Sequence, residues 1–244
     1  MPKLISKFIN VMKWNGLGLF FLSIFFSLSC SPKIQPPHLI PEAYNVGLLI
    51  MDGVYNTELT APMDIFQHTQ YRDSIRPMNV FTVAKSGSPI RSFEGLYILP
   101  DYTFDQAPPI DILVVPSAEH HLDSDLQDQE MINWVKQIGQ KATYVTSHCD
   151  GAFVLAKAGL LDGYASTTFP SDIKQYKEMF PHLDVISEVI FVHDDKFITS
   201  AGGARSFDAA LYLCEHLYGK EVAQRLAKGL VIDWDLSVVP HVVK

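Results

Sequence analysis

From residue 44 onward, short apolar runs alternate with stretches whose apolar residues recur every three or four positions. Residues 44–51 (YNVGLLIM) are almost continuously apolar, which predicts a strand buried on both faces. Residues 80–84, 112–115 and 142–146 read the same way, with Pro116 stopping the second of these runs. Between them, Leu59, Met63 and Phe66 set a helical spacing over 58–68, and a second amphipathic helix is predicted over 126–138. Two late helices, 206–217 and 221–230, are parted by Gly219. Asp194-Asp195-Lys196 separates apolar runs at 189–192 and 197–199, the pattern of a hairpin. Strands alternating with helices of this length predict an α/β fold. Its sheet is mostly parallel with helices on both faces, and one domain over 44–244 is sufficient.

The first thirty residues follow another pattern. Lys3, Lys7 and Lys13 precede the uncharged run LGLFFLSIFFSL at 17–28, as in a signal peptide, and that run is short for a membrane span. Ser27-Leu28-Ser29-Cys30 resembles a bacterial lipoprotein box with Cys30 as the lipidated residue, although Ser27 stands where that box usually has leucine. An uncleaved anchor or an ordinary cleavage nearby fits the same residues. Residues 31–43 contain Pro32, Pro36, Pro37 and Pro41, a composition that favours an extended spacer. The expected layout is a lipoprotein signal (1–30), a Pro-rich linker (31–43) and a body (44–244). The body would be held at a membrane of the cell envelope by a lipid anchor, periplasmic or surface-facing.

Charge narrows the partners. The chain carries 27 acids against 19 Lys and Arg, a formal net charge of −8. No basic stripe is available to neutralise phosphates, so nucleic acid is not an expected partner. Three cysteines are too few for a disulfide scaffold. No CxxC, HExxH, Walker A or GxGxxG string occurs, so neither a metal nor a cofactor is expected. Cys214, in YLCEHLY, has the neighbours of a helix core and is expected to be buried and inert.

The chemistry concentrates at 143–163 (TYVTSHCDGAFVLAKAGLLDG), where a buried strand runs into Ser147-His148-Cys149-Asp150-Gly151 and a helix begins at once. A nucleophile on a sharp strand-to-helix turn needs small residues two before and two after it, because larger side chains clash as the backbone folds back. The helix N-terminus favours thiolate over thiol. The alternative is a buried structural cysteine.

In this stretch the chain resembles the ThiJ/PfpI superfamily, part of the class I glutamine-amidotransferase-like fold. Its elbow motif is matched by Cys149, Gly151, Ala152, Leu155, Ala156, Ala158, Gly159, Leu160, Leu161, Asp162 and Gly163. Upstream, VYNTELTAPMDIF resembles the segment carrying the family's acid, which places Glu58 in that role. Downstream, TSAGGARSFDAALYL resembles the Ser-Ala-Gly turn and following helix. The similarity covers about 44–235 and looks closest to isonitrile hydratases and to the amidase-like sensor half of AraC-type regulators. Fewer than fifteen residues follow Leu230, so the helix-turn-helix half of those regulators is not expected.

The resemblance implies a flavodoxin-like sandwich, a small-molecule ligand or substrate, and a homodimer. It also implies Cys149 as nucleophile, Glu58 as its acid partner and the Ala118 backbone as an oxyanion donor. Two positions depart from the family pattern. Thr167-Thr168-Phe169 has no histidine where many members have Thr-Thr-His, and Pro116-Ser117-Ala118 replaces a Pro-Gly-Gly loop. His120 and His121 are therefore candidate bases, with solvent-exposed residues as the alternative. His148, Asp150, Thr168, Gly202 and Arg205 are candidates to line a substrate pocket. A protonated Glu58 would donate to the sulfur and hold the thiol below its usual range. Three functions stay open: a cysteine-dependent hydratase, lyase or hydrolase; a non-catalytic binding or sensing module; or a redox-sensing cysteine protein.

Overall fold

The computed structural model describes residues 36–244. Cys30, the signal pattern over 1–30 and the start of the linker lie outside the described residues. Among those described, no helix is long and apolar enough to cross a membrane.

The chain runs β1 (Tyr44–Leu49), α1 (Asn56–Gln67), β2 (Met78–Ala84), β3 (Ile90–Arg91), β4 (Tyr97–Ile98), β5 (Tyr102–Thr103) and β6 (Ile112–Val115). It continues through α2 (Gln129–Lys141), β7 (Tyr144–His148), α3 (Gly151–Lys157), β8 (Ala165–Ser166), α4 (Ile173–Met179) and β9 (Asp184–Val185). It ends with β10 (Phe191–Asp194), β11 (Phe197–Ser200), α5 (Ser206–Tyr218), α6 (Lys220–Gly229) and β12 (His241–Val243). Eight strands form one sheet in the order β12-β10-β11-β7-β6-β1-β2-β5, parallel throughout except for the β10–β11 hairpin.

The apolar runs are accounted for by burial on two sides. Val46 and Leu48 of β1 face a cluster with Leu59 and Phe66 of α1 and Leu211 and Leu213 of α5. Leu49 faces the opposite cluster, with Val135 of α2 and Phe153 and Leu155 of α3. Gly47 leaves room for Ile110, whose Cδ1 would lie 2.5 Å from an added Cβ. A central parallel strand has no solvent face, so it reads as continuous rather than alternating. The long elements agree with their sequence expectations to within about three residues. The pairs β3–β4 and β8–β9 were not foreseen, because two-residue strands carry no periodicity.

From β1 the chain passes to β2 on one side and later returns to β6 on the other. Loops leaving the carboxyl ends of β1, β6 and β7 therefore converge at the reversal point, where open α/β sheets bind ligands. The Lys196 ammonium secures this frame from the opposite end of the sheet. It donates to the carbonyls of Gly139 (2.8 Å), Gln140 (3.1 Å) and Ala142 (3.2 Å), which otherwise close α2 without partners. Lys196→Met should lower stability by about 1–3 kcal/mol. A melting temperature within 1 °C of wild type would remove that role.

Candidate active site

Cys149 leaves β7 with its N–H still donating to Ser200 O (2.9 Å), then turns at φ +50°, a left-handed conformation uncommon for a residue with a Cβ. Two glycines explain how the turn fits. A Cβ on Gly151 would lie 2.1 Å from Val115 O, so α3 packs onto the end of β6 only with glycine there. A Cβ on Gly202 would lie 2.3 Å from that of Cys149, so the turn after β11 presses directly on the cysteine backbone. Of the two small flanking positions foreseen from the sequence, Gly151 is thus required by close approach. Gly202, a candidate lining residue from the motif, packs on the Cys149 backbone and is not among the described residues that line the cavity at the sulfur.

Glu58, in the first turn of α1, is buried beside the sulfur. Its Oε2 accepts from Ser117 N–H (3.0 Å) and its Oε1 from Gly203 N–H (2.9 Å). One carboxyl therefore ties together the loops after β6 and β11. Burial raises the Glu58 pKa against the pull of those two N–H groups. Asp150 is the second acid at the thiol, which donates to its Oδ2 at 3.5 Å. The one proton of the Thr168 hydroxyl is shared between Asp150 Oδ1 (3.1 Å) and Cys149 O (3.0 Å), so Thr168 positions the turn. Burial, reinforced by Asp172, pushes the Asp150 carboxyl up to about 6.

The thiol departs from its expected direction. Burial, then the charges of Glu58 and Asp150, push it well above the ordinary range. The Asp150 N–H and the Ser117 hydroxyl act the other way but more weakly. Ser117 is wholly buried, and its hydroxyl has no hydrogen-bond partner within the protein. Desolvation of sulfur thus outweighs the dipole of the seven-residue α3. Cys149, Glu58 and Asp150 form a coupled set in which the thiol keeps its proton at neutral pH.

A cavity of about 320 Å³ opens onto the sulfur. Tyr55 and Phe169 give it aromatic walls, Ala118 and Leu122 an apolar one, and Glu119, Asp150 and Asp172 supply carboxyls beside Glu58. No Lys, Arg or His is among its described lining residues. Phe169, where the family histidine would stand, is 40% exposed at the mouth.

The structure does not bring the candidate histidines to the sulfur. His120 is exposed, lies 3.5 Å from Asp123 and lines a different cavity. His121 is wholly buried, and its Nδ1 accepts from Ala118 N–H at 3.2 Å. Burial pulls its pKa down to about 3. The Ala118 N–H, expected to point at an oxyanion, is therefore turned into the protein. His148 is buried, with Nδ1 3.0 Å from Ser200 Oγ and its pKa pulled down to about 3 by burial. Arg205 is exposed and pairs with Asp208 at 3.1 Å, away from the lining of the cavity. Sequence reasoning missed Ser117, Tyr55 and the Asp150 N–H. The last follows from the elbow itself, because the residue after such a nucleophile presents its N–H to the same side. Cys214 is wholly buried and free, as expected. Among the described residues no group of three or more His, Cys, Asp or Glu is placed to hold a metal ion.

Comparison with known proteins bears on this geometry. Residues 44–216 match the family described as the DJ-1/PfpI family. The chain is 31% identical over 183 residues to isonitrile hydratase of Pseudomonas putida, covering 75% of each protein. It is 22% identical over 203 residues to the HTH-type transcriptional regulator GbdR of Pseudomonas aeruginosa, and spans 54% of that regulator's length. Among solved structures, a THiJ/PfpI family protein from Pseudomonas syringae superposes with a TM-score of 0.69 at 26% identity, covering 85% of both chains. DJ-1beta of Drosophila melanogaster shares the fold, with a TM-score of 0.67 at 22% identity, covering 79% of this chain and all of that one.

Proposed function

The chain belongs to the DJ-1/PfpI family, and on that premise we propose that it is a cysteine-dependent hydratase or hydrolase of a small, neutral or cationic molecule. One observation carries the reading: a left-handed Cys149 faces Glu58, whose carboxyl is fixed by the Ser117 and Gly203 N–H groups. In the proposed cycle the Cys149 sulfur bonds to an electrophilic carbon while its proton passes through Glu58 to the substrate. The Asp150 N–H beside the sulfur then stabilises developing negative charge. In hydration, water attacks the same carbon, the C–S bond breaks and the thiol recovers its proton; in hydrolysis the C–N bond breaks first, the amine leaves with the relayed proton, and water then cleaves the C–S bond. A cavity lined by four acids and no base disfavours carboxylate or phosphate substrates.

Isonitrile, amide and 2-oxoaldehyde substrates in neutral and amine-bearing forms test this directly. Turnover of at least one should be lost in Cys149→Ala, and anionic analogues should be processed at least tenfold more slowly. A compound that shifts melting without turnover would favour the second reading, a small-molecule sensor, which Phe169 in place of a base supports.

The N-terminal pattern supports a further placement, an envelope lipoprotein held by an acylated Cys30. Full-length protein should sediment with membranes and incorporate a fatty-acid label, and Cys30→Ser should abolish the label. Equal labelling of the variant would end that proposal.

A further inference from the structure

A second cavity, of about 450 Å³, lies at the carboxyl ends of β1 and β2, where the loops of the reversal point converge. It has room for roughly a dozen non-hydrogen atoms. Met51, Ile90, Phe104 and Met131 form an apolar wall. The polar lining is unbalanced in sign. Among its described lining residues the one ammonium, Lys85, is engaged by Asp128 and Glu130, each at 3.0 Å, and the other basic side chain is the exposed His120, 3.5 Å from Asp123. Asp52 accepts only a backbone N–H, from Arg91 at 2.7 Å. Asp125 is partly buried: its Oδ2 is sealed off with no hydrogen-bond partner within the protein, its side chain keeps 23% exposure, and burial raises its pKa.

The histidine nearest Asp125 does not neutralise it. His121 Nδ1 accepts from Ala118 N–H, so the ring proton sits on Nε2, which lies 3.2 Å from Met51 Sδ and 3.8 Å from Asp125 Oδ2. With burial holding its pKa near 3, the ring is uncharged at neutral pH. His121 also spans the wall between two cavities. Ala118 and Leu122 line the cysteine cavity, whereas Met51 and Asp125 line this one.

We propose that this cavity binds a small amphipathic ammonium compound, its apolar body on Met51, Phe104 and Met131 and its cation at Asp125 and Asp52, and that its occupancy is felt at Cys149 through His121. A cation drawn to Asp125 competes for the carboxylate that the His121 Nε2–H faces. A body packed on Met51 also presses on the sulfur that the same N–H meets at 3.2 Å, and a shift of the ring is passed through Nδ1 to the Ala118 N–H. The loop over the cysteine then shifts without any contact between ligand and sulfur.

Calorimetric titration of the full chain at low salt, with 2-phenylethylamine as probe, tests this. Binding should saturate and be at least tenfold tighter than that of 3-phenylpropionate. Asp125→Asn and Asp52→Asn, both near-isosteric, should each weaken it tenfold or more. Because the cysteine cavity is also acidic, the titration is repeated after Cys149 is blocked with iodoacetamide, and binding should survive. A saturating probe should change the Cys149 alkylation rate at least twofold in wild type and not in His121→Gln. Absence of saturable binding, binding indifferent to both Asp variants, or binding lost on alkylation would overturn the site. An unchanged alkylation rate at saturation would overturn the link through His121. Each of these outcomes is read without any turnover, so it is independent of whether the proposed hydratase activity holds.

Discussion

Asp150→Asn should accelerate alkylation of Cys149 at neutral pH by roughly 10- to 100-fold, the effect of removing one or two pKa units of like-charge repulsion. The carboxyl is near-isosteric with the amide. Asn Oδ1 can still accept from Thr168, and the amide N–H₂ replaces the Oδ2 that now takes the thiol proton at 3.5 Å. An acceptor becomes a donor to the thiolate, and a negative charge is removed, so both changes act in one direction. Stability should move as well. Burial holds Asp150 up to about 6 in the folded chain against an ordinary value of 3.8. Between those values the folded state keeps a proton that the unfolded state has released, so stability falls as pH rises through that window. Above it the deficit is of order 3 kcal/mol. The variant should therefore be more stable than wild type at pH 7 and equal to it near pH 3.5. Slower alkylation, or a stability gain independent of pH, would show that Asp150 is not a buried charge at the sulfur.

The elbow was legible because it is local. Strand, cysteine, glycine and helix are contiguous from residue 144 to 157, and each constrains the next. The parallel sheet was legible for the same reason, since doubly buried strands leave unbroken apolar runs. The histidines were misplaced because adjacency in sequence says nothing about which wall of a loop a ring occupies. His120 and His121 are neighbours, yet one is exposed and the other wholly buried. Ser117 was passed over because its place comes from replacing a glycine after β6, where only the fold shows its N–H meeting the Glu58 carboxyl and its hydroxyl buried without a hydrogen-bond partner. The direction of the thiol shift needed the burial of the sulfur and, after it, the acids around it. Glu58 lies 91 positions from Cys149, and its charge reaches the sulfur only through the sheet.

That same distance makes Glu58 the residue with the widest consequences. Glu58→Leu should lower the stability of the folded chain by about 2–6 kcal/mol, since it strips partners from two N–H groups, Ser117 and Gly203, at roughly 1–3 kcal/mol each. For a chain of this size that is a melting shift of about 5–20 °C. Removing a buried carboxyl with a raised pKa recovers part of this above the ordinary carboxylate range, because wild type carries a cost there that grows as pH rises. The Leu penalty should therefore be larger at pH 4 than at pH 7. Glu58→Gln separates the two contributions. Its single oxygen can accept from one of the N–H groups while its N–H₂ opposes the other, so it should cost about half as much and show the same pH trend. Turnover, if the proposed cycle holds, should fall at least 100-fold in both variants, because neither can relay the thiol proton. Thermal melts at the two pH values decide the structural part without reference to any substrate. A Glu58→Leu protein within 0.5 kcal/mol of wild type at both would mean that Ser117 and Gly203 find other acceptors. The carboxyl would then no longer be what holds the loops after β6 and β11 against the cysteine.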